Sequence, residues 1–320
     1  MYKQHTIRQW FCPVINWQQL HLGLLCATSV CLVLAAPTIL QLPESQLLAQ
    51  KAVSQDLETA SLYQQGVTRY HRNDFQGAES AFRLALERDP NLGIARNYLG
   101  NILLMQNRLD LAVKEYRQAL RINPNLSETY YNLGLALHRQ GQEAAAIPAY
   151  RQALSIDPTR SAAQYNLGLA LYELGQEREA IAAYEAAINL DSSNANAYYN
   201  LAIAQQEQGE IEPAIAAYRQ VLELEPQNAT AYHNLGVILY NQGELQEANG
   251  IFKRAYTAYK QQGQLESAEK MKQLIQQIAL VIEQQRQATQ MANPAENPPP
   301  TGNTVMPEIT PEFVPVIFNK

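Results

Sequence analysis

Four asparagines, Asn132, Asn166, Asn200 and Asn234, recur every 34 residues. A primary amide carries two donors and an accepting oxygen, so a row of them can pair with backbone peptide units whatever side chains those units bear. Beside them runs a second row of rings and aliphatics: Tyr131, Leu135 and His138; Tyr165, Leu169 and Tyr172; Tyr199, Ile203 and Gln206; His233, Val237 and Tyr240. Tyrosine suits recognition, giving large contact area at low entropic cost and ending in a polar tip. Bond-making chemistry has no such constellation. There is no Gly-x-Ser-x-Gly elbow, no glycine-rich phosphate loop and no His-Glu-x-x-His pair. His5, His21, His71, His138 and His233 are scattered, none at metal-ligand spacing. The acidic side chains fall on what reads as solvated helix faces. The expectation is a binding protein with no catalytic residues, no cofactor and no metal.

The elements that carry these rows are themselves periodic. Gly66, Gly100, Gly134, Gly168 and Gly236 keep the 34-residue interval, with Ala202 in the remaining slot. Ala78, Ala112, Ala146, Ala180, Ala214 and Ala248 keep it too, as do Phe82, Tyr116, Tyr150, Tyr184, Tyr218 and Phe252. Pro90, Pro124, Pro158 and Pro226 follow in step, Ser192 replacing one. Such self-similarity marks a repeat architecture in which stacked units share a continuous core. Within one unit the pattern predicts two helices. Tyr130, Leu133, Gly134 and Leu137 fall at i, i+3, i+4 and i+7 between Ser127 and Gln140, and Gly141 ends that helix. Glu143 to Ile156 sets Ala146, Ile147, Tyr150, Ala153 and Leu154 on one side, and Asp157-Pro158 stops it. The small residues let the helices approach, and the ring fills the space between successive units. Pro213 sits in a first turn, where proline is tolerated, whereas Pro148 lies deeper and predicts a local kink.

This pattern of a large residue, Leu-Gly, an aromatic, Ala, an aromatic, Ala and Pro resembles the tetratricopeptide repeat family. The best copies are ETYYNLGLALHRQGQEAAAIPAYRQALSIDP from Glu128 and AYHNLGVILYNQGELQEANGIFKRA from Ala231, and the likeness covers about residues 59–262. Arg96 and Gln164 depart from it, standing where a large residue belongs. The resemblance implies an all-α, right-handed superhelical solenoid of six helix-turn-helix units, 59–92, 93–126, 127–160, 161–194, 195–228 and 229–262. It implies further that the asparagine row forms a ladder binding an extended peptide, with the Tyr, Leu, Ile, Val and His row facing the same hollow. The first two units break the row with Gln64 and Tyr98, so the ladder is expected from the third unit to the sixth. Arg139 is the only clear cation on that face of the good copies, which disfavours a clamp for a C-terminal carboxylate. Ordinary repeat consensus is the competing account of the row of rings and aliphatics, and local backbone satisfaction that of the asparagines.

The rest of the chain differs in kind. Residues 1–50 hold Lys3 and Arg8 and then no charge until Glu44, with an apolar run from Leu20 to Leu42 between. A basic flank before such a run reads as an export signal or membrane anchor. Val33-Leu34-Ala35 is an acceptable cleavage site, while Leu20 to Leu40 is long enough to span a bilayer at about 20 residues; both fates stay open. All three cysteines, Cys12, Cys26 and Cys31, lie in this segment. Residues 51–262 are therefore expected outside the cytoplasm, in a periplasm or thylakoid lumen, in the manner of exported bacterial members of the family, cyanobacterial ones among them. Leu265, Ala268, Met271, Leu274, Ile275, Ile278 and Ile282 continue a helical stripe, predicting a capping helix over 263–289. Residues 290–320 are proline-rich and read as a disordered or extended tail, though Phe313-Val-Pro-Val-Ile-Phe318 is apolar and suits either the chain's own hollow or a partner. A net charge of −6 without basic blocks argues against nucleic acid. The expected partner is a protein, held as an extended segment in the concave groove by an assembly factor or adaptor. An accessory subunit binding through its convex side is the alternative.

Overall fold

The computed structural model describes the backbone of residues 44–291 and the side chains of residues 56–289. The apolar run from Leu20 to Leu42 and the apolar end of the tail lie outside those residues. Thirteen helices and no strand occur among the described residues. The first helices of the six units are α1 (Glu44–His71), α3 (Gly93–Met105), α5 (Ser127–His138), α7 (Ser161–Glu173), α9 (Ala195–Glu207) and α11 (Ala229–Asn241). Their second helices are α2 (Phe75–Arg88), α4 (Leu109–Ile122), α6 (Glu143–Ile156), α8 (Glu177–Leu190), α10 (Ile211–Leu224) and α12 (Leu245–Gln261), and α13 (Leu265–Met291) closes the series. Each helix packs mainly on its neighbours in the chain, and first helices also touch the first helix of the next unit. The result is an all-helical solenoid of stacked hairpins. Helix α6 runs through Pro148 without interruption.

Both turns of the repeat have a chemical cause. After each first helix the backbone enters the left-handed region at 34-residue intervals, at Asn73 (φ 61°), Asn107 (φ 58°), Gly141 (φ 69°), Gly175 (φ 70°), Gly209 (φ 77°) and Gly243 (φ 84°). Only glycine and asparagine tolerate that conformation cheaply. After each of the first four second helices an Asx turn starts the next unit. Side-chain oxygens of Asp89, Asn123, Asp157 and Asp191 accept from the backbone N–H two residues on. Where the large residue is missing at Arg96, its guanidinium bonds the Pro90 carbonyl at 2.8 Å and Glu115 at 2.8 Å. A charged fork thus does there what a ring does elsewhere.

The recurrent alanines and rings are the core. Ala78, Ala112, Ala146, Ala180, Ala214 and Ala248 are sealed, as are Phe82, Tyr116, Tyr150, Tyr184, Tyr218 and Phe252. The glycines exist for those rings, since a Cβ on Gly134 would lie 2.5 Å from Tyr150 Cε1, well inside contact distance. Ala202 shows what happens when that methyl is present. In the third and fourth units the core ring meets the tyrosine of the first helix at 48° and 47°; in the fifth, Tyr218 meets Tyr199 at 73°. The Tyr218 hydroxyl accepts from Asn234 Nδ2 at 3.2 Å. The hydroxyls of Tyr150 and Tyr184 have no hydrogen-bond partner among the described residues.

Candidate binding face of the first helices

The two rows lie on one face of the first helices, and they are tied to each other across unit boundaries. Asn166 Nδ2 donates to the Tyr131 hydroxyl at 3.2 Å, Asn200 Nδ2 to that of Tyr165 at 3.0 Å, and Asn234 Nδ2 to that of Tyr199 at 3.3 Å. Each pair is 35 residues apart, one repeat plus one, so every bond is a rung between successive units. Asn132 has no tyrosine at the equivalent place before it and donates instead to Asn101 Oδ1 at 3.0 Å, which also accepts from Tyr116 at 2.8 Å. Each of these amides thus commits at least one N–H to a tie within the solenoid. Asn166 also reaches the Ala162 carbonyl at 2.8 Å, the local backbone bond that was the competing expectation.

A second set of ties runs along the ends of the first helices. His138 Nε2 lies 2.8 Å from Glu173 Oε2, and the Tyr172 hydroxyl donates to Glu207 Oε1 at 2.8 Å, again 35 residues apart. Arg139 reaches back to Asn107 Oδ1 at 3.2 Å. Burial pushes up the pKa of the Tyr131, Tyr165 and Tyr172 phenols, and Glu207 adds to it at Tyr172. The hydroxyls stay protonated and keep both donor and acceptor roles. Glu143 joins His138 and Glu173 to put three ligating atoms within 4.8 Å of one another, but the imidazole and the Glu173 carboxylate already satisfy each other.

Exposure along the face is uneven. In the third unit Tyr131, Asn132, Leu135 and His138 are half-buried, and Asn166 and Tyr172 of the fourth unit are so too. Tyr165, Leu169, Tyr199, Asn200, Ile203, His233, Asn234, Val237 and Tyr240 are buried. Asn234 and Val237 have 0% of their surface accessible. The sequence predicts a row that the solenoid leaves uncovered, and that description fits the third unit far better than the sixth. The first two units differ again. Tyr98, at the place of the asparagines, stacks on Phe82 at 5.3 Å and 10° and meets Tyr70 edge-on at 5.2 Å, so rings replace amides as the tie. Sequence reasoning missed Asn97 and Asn101, which fall outside the 34-residue asparagine register. Asn97 Oδ1 accepts from the buried Thr129 at 2.8 Å. On the side of the second helices, an open cleft has Leu222, Tyr232, Leu235 and Ile251 as its floor and the Arg219–Glu247 pair, 3.0 Å apart, in its wall.

Profiles described as TPR repeat match residues 100–141, 170–209 and 207–243, and profiles described as tetratricopeptide repeat match 127–160, 149–182 and 228–261. Together they run unbroken over 100–261, just over half of the 320 residues. The chain belongs to the tetratricopeptide repeat family. Solved structures agree. MamA is 29% identical with a TM-score of 0.51, the match covering 52% of this chain and 97% of that one. YrrB, titled a TPR protein with an unusual peptide-binding site, is 23% identical with a TM-score of 0.55, over 61% of this chain and 100% of that one. PilF of Pseudomonas aeruginosa is 23% identical with a TM-score of 0.55, over 68% and 98%. No curated protein sequence matches the chain significantly. The matched profiles are those of repeats, with no catalytic family among them, and the role they support is that of a protein-interaction scaffold.

Proposed function

We propose that the chain is a non-catalytic adaptor or assembly factor that holds an extended segment of another protein against the first-helix face of units 3 to 6. One observation carries the reading: aromatic and aliphatic side chains at Tyr131, Leu135 and Tyr172 pack against the core yet stay half-open on the first-helix face. The rungs between units support it as well, because a face that is already ordered loses little entropy when a segment docks. Asn166 Nδ2 donates to the Tyr131 phenol and to the Ala162 carbonyl, and its amide oxygen can accept from a backbone N–H. The leader of residues 1–50 supports export, with units 1 to 6 working outside the cytoplasm as part of a membrane or envelope complex. No described helix is long and apolar enough to cross a membrane, and Leu20 to Leu40 lies outside the described residues. The six units, 59–92 to 229–262, and the cap over 263–289 are proposed as one binding domain. The cleft beside Leu222 and Ile251 is what favours the second reading, an accessory subunit docking through its second helices.

A photo-crosslinking residue in place of Leu135, and separately in place of the exposed Arg117 of α4, tests the choice in the native host. The adaptor reading expects adducts with one protein from position 135 and none from 117. Adducts from 117 alone would overturn it. N-terminal sequencing of the mature protein decides between a cleaved signal and an anchor.

A further inference from the structure

Repetition predicts that equivalent places on the first-helix face have equal exposure, with the end unit least covered because it has fewer neighbours. The order found is the reverse. Leu135 is half-buried in unit 3, its counterparts Leu169 and Ile203 are 1% exposed, and Val237 in unit 6 is at 0%. The neighbouring row behaves alike, from half-buried Asn132 and Asn166 to Asn200 at 2% and Asn234 at 0%. Helix stacking does not grade in this way. The contact between successive first helices is similar from α3 to α9 and no closer at α11, and α13 packs chiefly on α12. The cover increases toward the end of the solenoid from which the rest of the chain departs.

What departs there fits the face. Residues 313–318, Phe-Val-Pro-Val-Ile-Phe, carry no charge, and neither do Leu169, Tyr199, Ile203, Val237 and Tyr240. Pro315 removes one donor and favours an extended backbone for itself and for the residue before it. Bulky side chains on such a segment can fill gaps between the tyrosines, while its peptide groups meet the amides of Asn200 and Asn234. Reach is ample. Phe313 lies 22 positions beyond Met291, about 70 Å when extended. Helix α13, 27 residues long, measures about 40 Å. The tail can therefore return along α13 and still cross units 6, 5 and 4.

We propose that residues 313–318 occupy the first-helix face of units 4 to 6 in the same molecule, leaving unit 3 open. The proposal rests on the reading of that face as a peptide site and adds its resident occupant: an uncharged aromatic and β-branched segment that an incoming partner must displace. A flexibly tethered ligand has an effective concentration of about 1 mM. A tail that binds with a Kd of about 100 μM then weakens a competing peptide roughly tenfold.

The test uses the full chain and its Phe313→Asp, Ile317→Asp double variant, with a fluorescein-labelled peptide of residues 308–320 as probe. Both changes fall beyond α13, and circular dichroism checks that helix content is retained. Fluorescence anisotropy is expected to show at least tenfold tighter binding of the peptide to the double variant than to the unaltered chain. Equal affinities, or no binding to either, overturn the proposal. A photo-crosslinker at position 313 of the full chain supplies the second readout. Linkage within the monomer to residues 161–241 is expected, and linkage to a second copy or to other residues overturns occupation in cis. If these experiments fail while position 135 still captures a partner, the peptide site stands and its resident occupant does not. If they succeed while position 135 captures nothing, the site serves the tail alone.

Discussion

Units 3 and 6 present the same face with nearly the same kinds of residue, yet one is half-open and the other closed. Tyr131, Asn132 and Leu135 correspond to His233, Asn234 and Val237, and only the first set retains substantial exposure. The ties differ as well. Asn132 bonds Asn101 alone among the described partners, whereas Asn234 spans two phenols, those of Tyr199 and Tyr218. The difference teaches that repeat position fixes which atoms face inward, while neighbours outside the register fix how much water they meet.

Charge insertion should cost most. Val237→Asp places a carboxylate under the cover proposed for the tail; a cover held about tenfold lets that charge reach water, so the loss expected in urea unfolding exceeds that of Leu135→Asp by about 1.4 kcal/mol. Leu135→Asp, half-buried against the core, should cost about 1–2 kcal/mol. Equal losses would break the comparison.

Removing a phenol should cost less. Tyr199→Phe leaves Asn234 with one partner fewer in a sealed site, an expected loss of about 1–3 kcal/mol. Tyr131→Phe leaves Asn166 its bond to the Ala162 carbonyl, and about 0.5 kcal/mol is expected. The same unfolding curves measure both.

Unit 5 suggests a third test, because it has already accepted the methyl that its neighbours exclude. Gly168→Ala should turn the Tyr184 ring from 47° toward the 73° seen for Tyr218. Overpacking of about 1–3 kcal/mol is partly offset by about 0.5–1 kcal/mol from replacing a helical glycine. The net expected loss is about 1 kcal/mol, and a crystal structure of the variant would show whether the ring turns.

The smallest effect belongs to the first two units and serves as a control away from the face. Burial of Glu79 raises its pKa, but hydrogen bonds from Arg83 and Arg108 outweigh that and hold it below the usual value. A depressed folded pKa stabilises above the unfolded value, about 4.3, and that contribution fades as pH falls through the folded one. Glu79→Gln should therefore be less stable by about 0.5–1 kcal/mol at pH 7. The gap from the unaltered chain should close in acid, as a series of melts from pH 7 to pH 3 would show.

Much of this architecture could be read from residues. The turn at Gly141, the stop at Asp157, the sealed alanines and the rings against the glycines all follow from local chemistry repeated in register. The pairing of Asn166, Asn200 and Asn234 with the preceding unit's tyrosines is legible too, at an interval of one repeat plus one. Asn101 is harder to read, for it is the polar exception in the register of Leu135, Leu169, Ile203 and Val237, and its place opposite Asn132 depends on how one unit leans on the next.

The sequence alone determined the helices, their order and the residue types brought to the first-helix face, because those depend on short-range periodicity and on glycine, asparagine and proline at the turns. The tertiary structure alone decided that Asn132 bonds Asn101 and how far each unit's face is covered. Those outcomes depend on distances between units. A 34-residue pattern repeats itself and so cannot tell its third copy from its sixth.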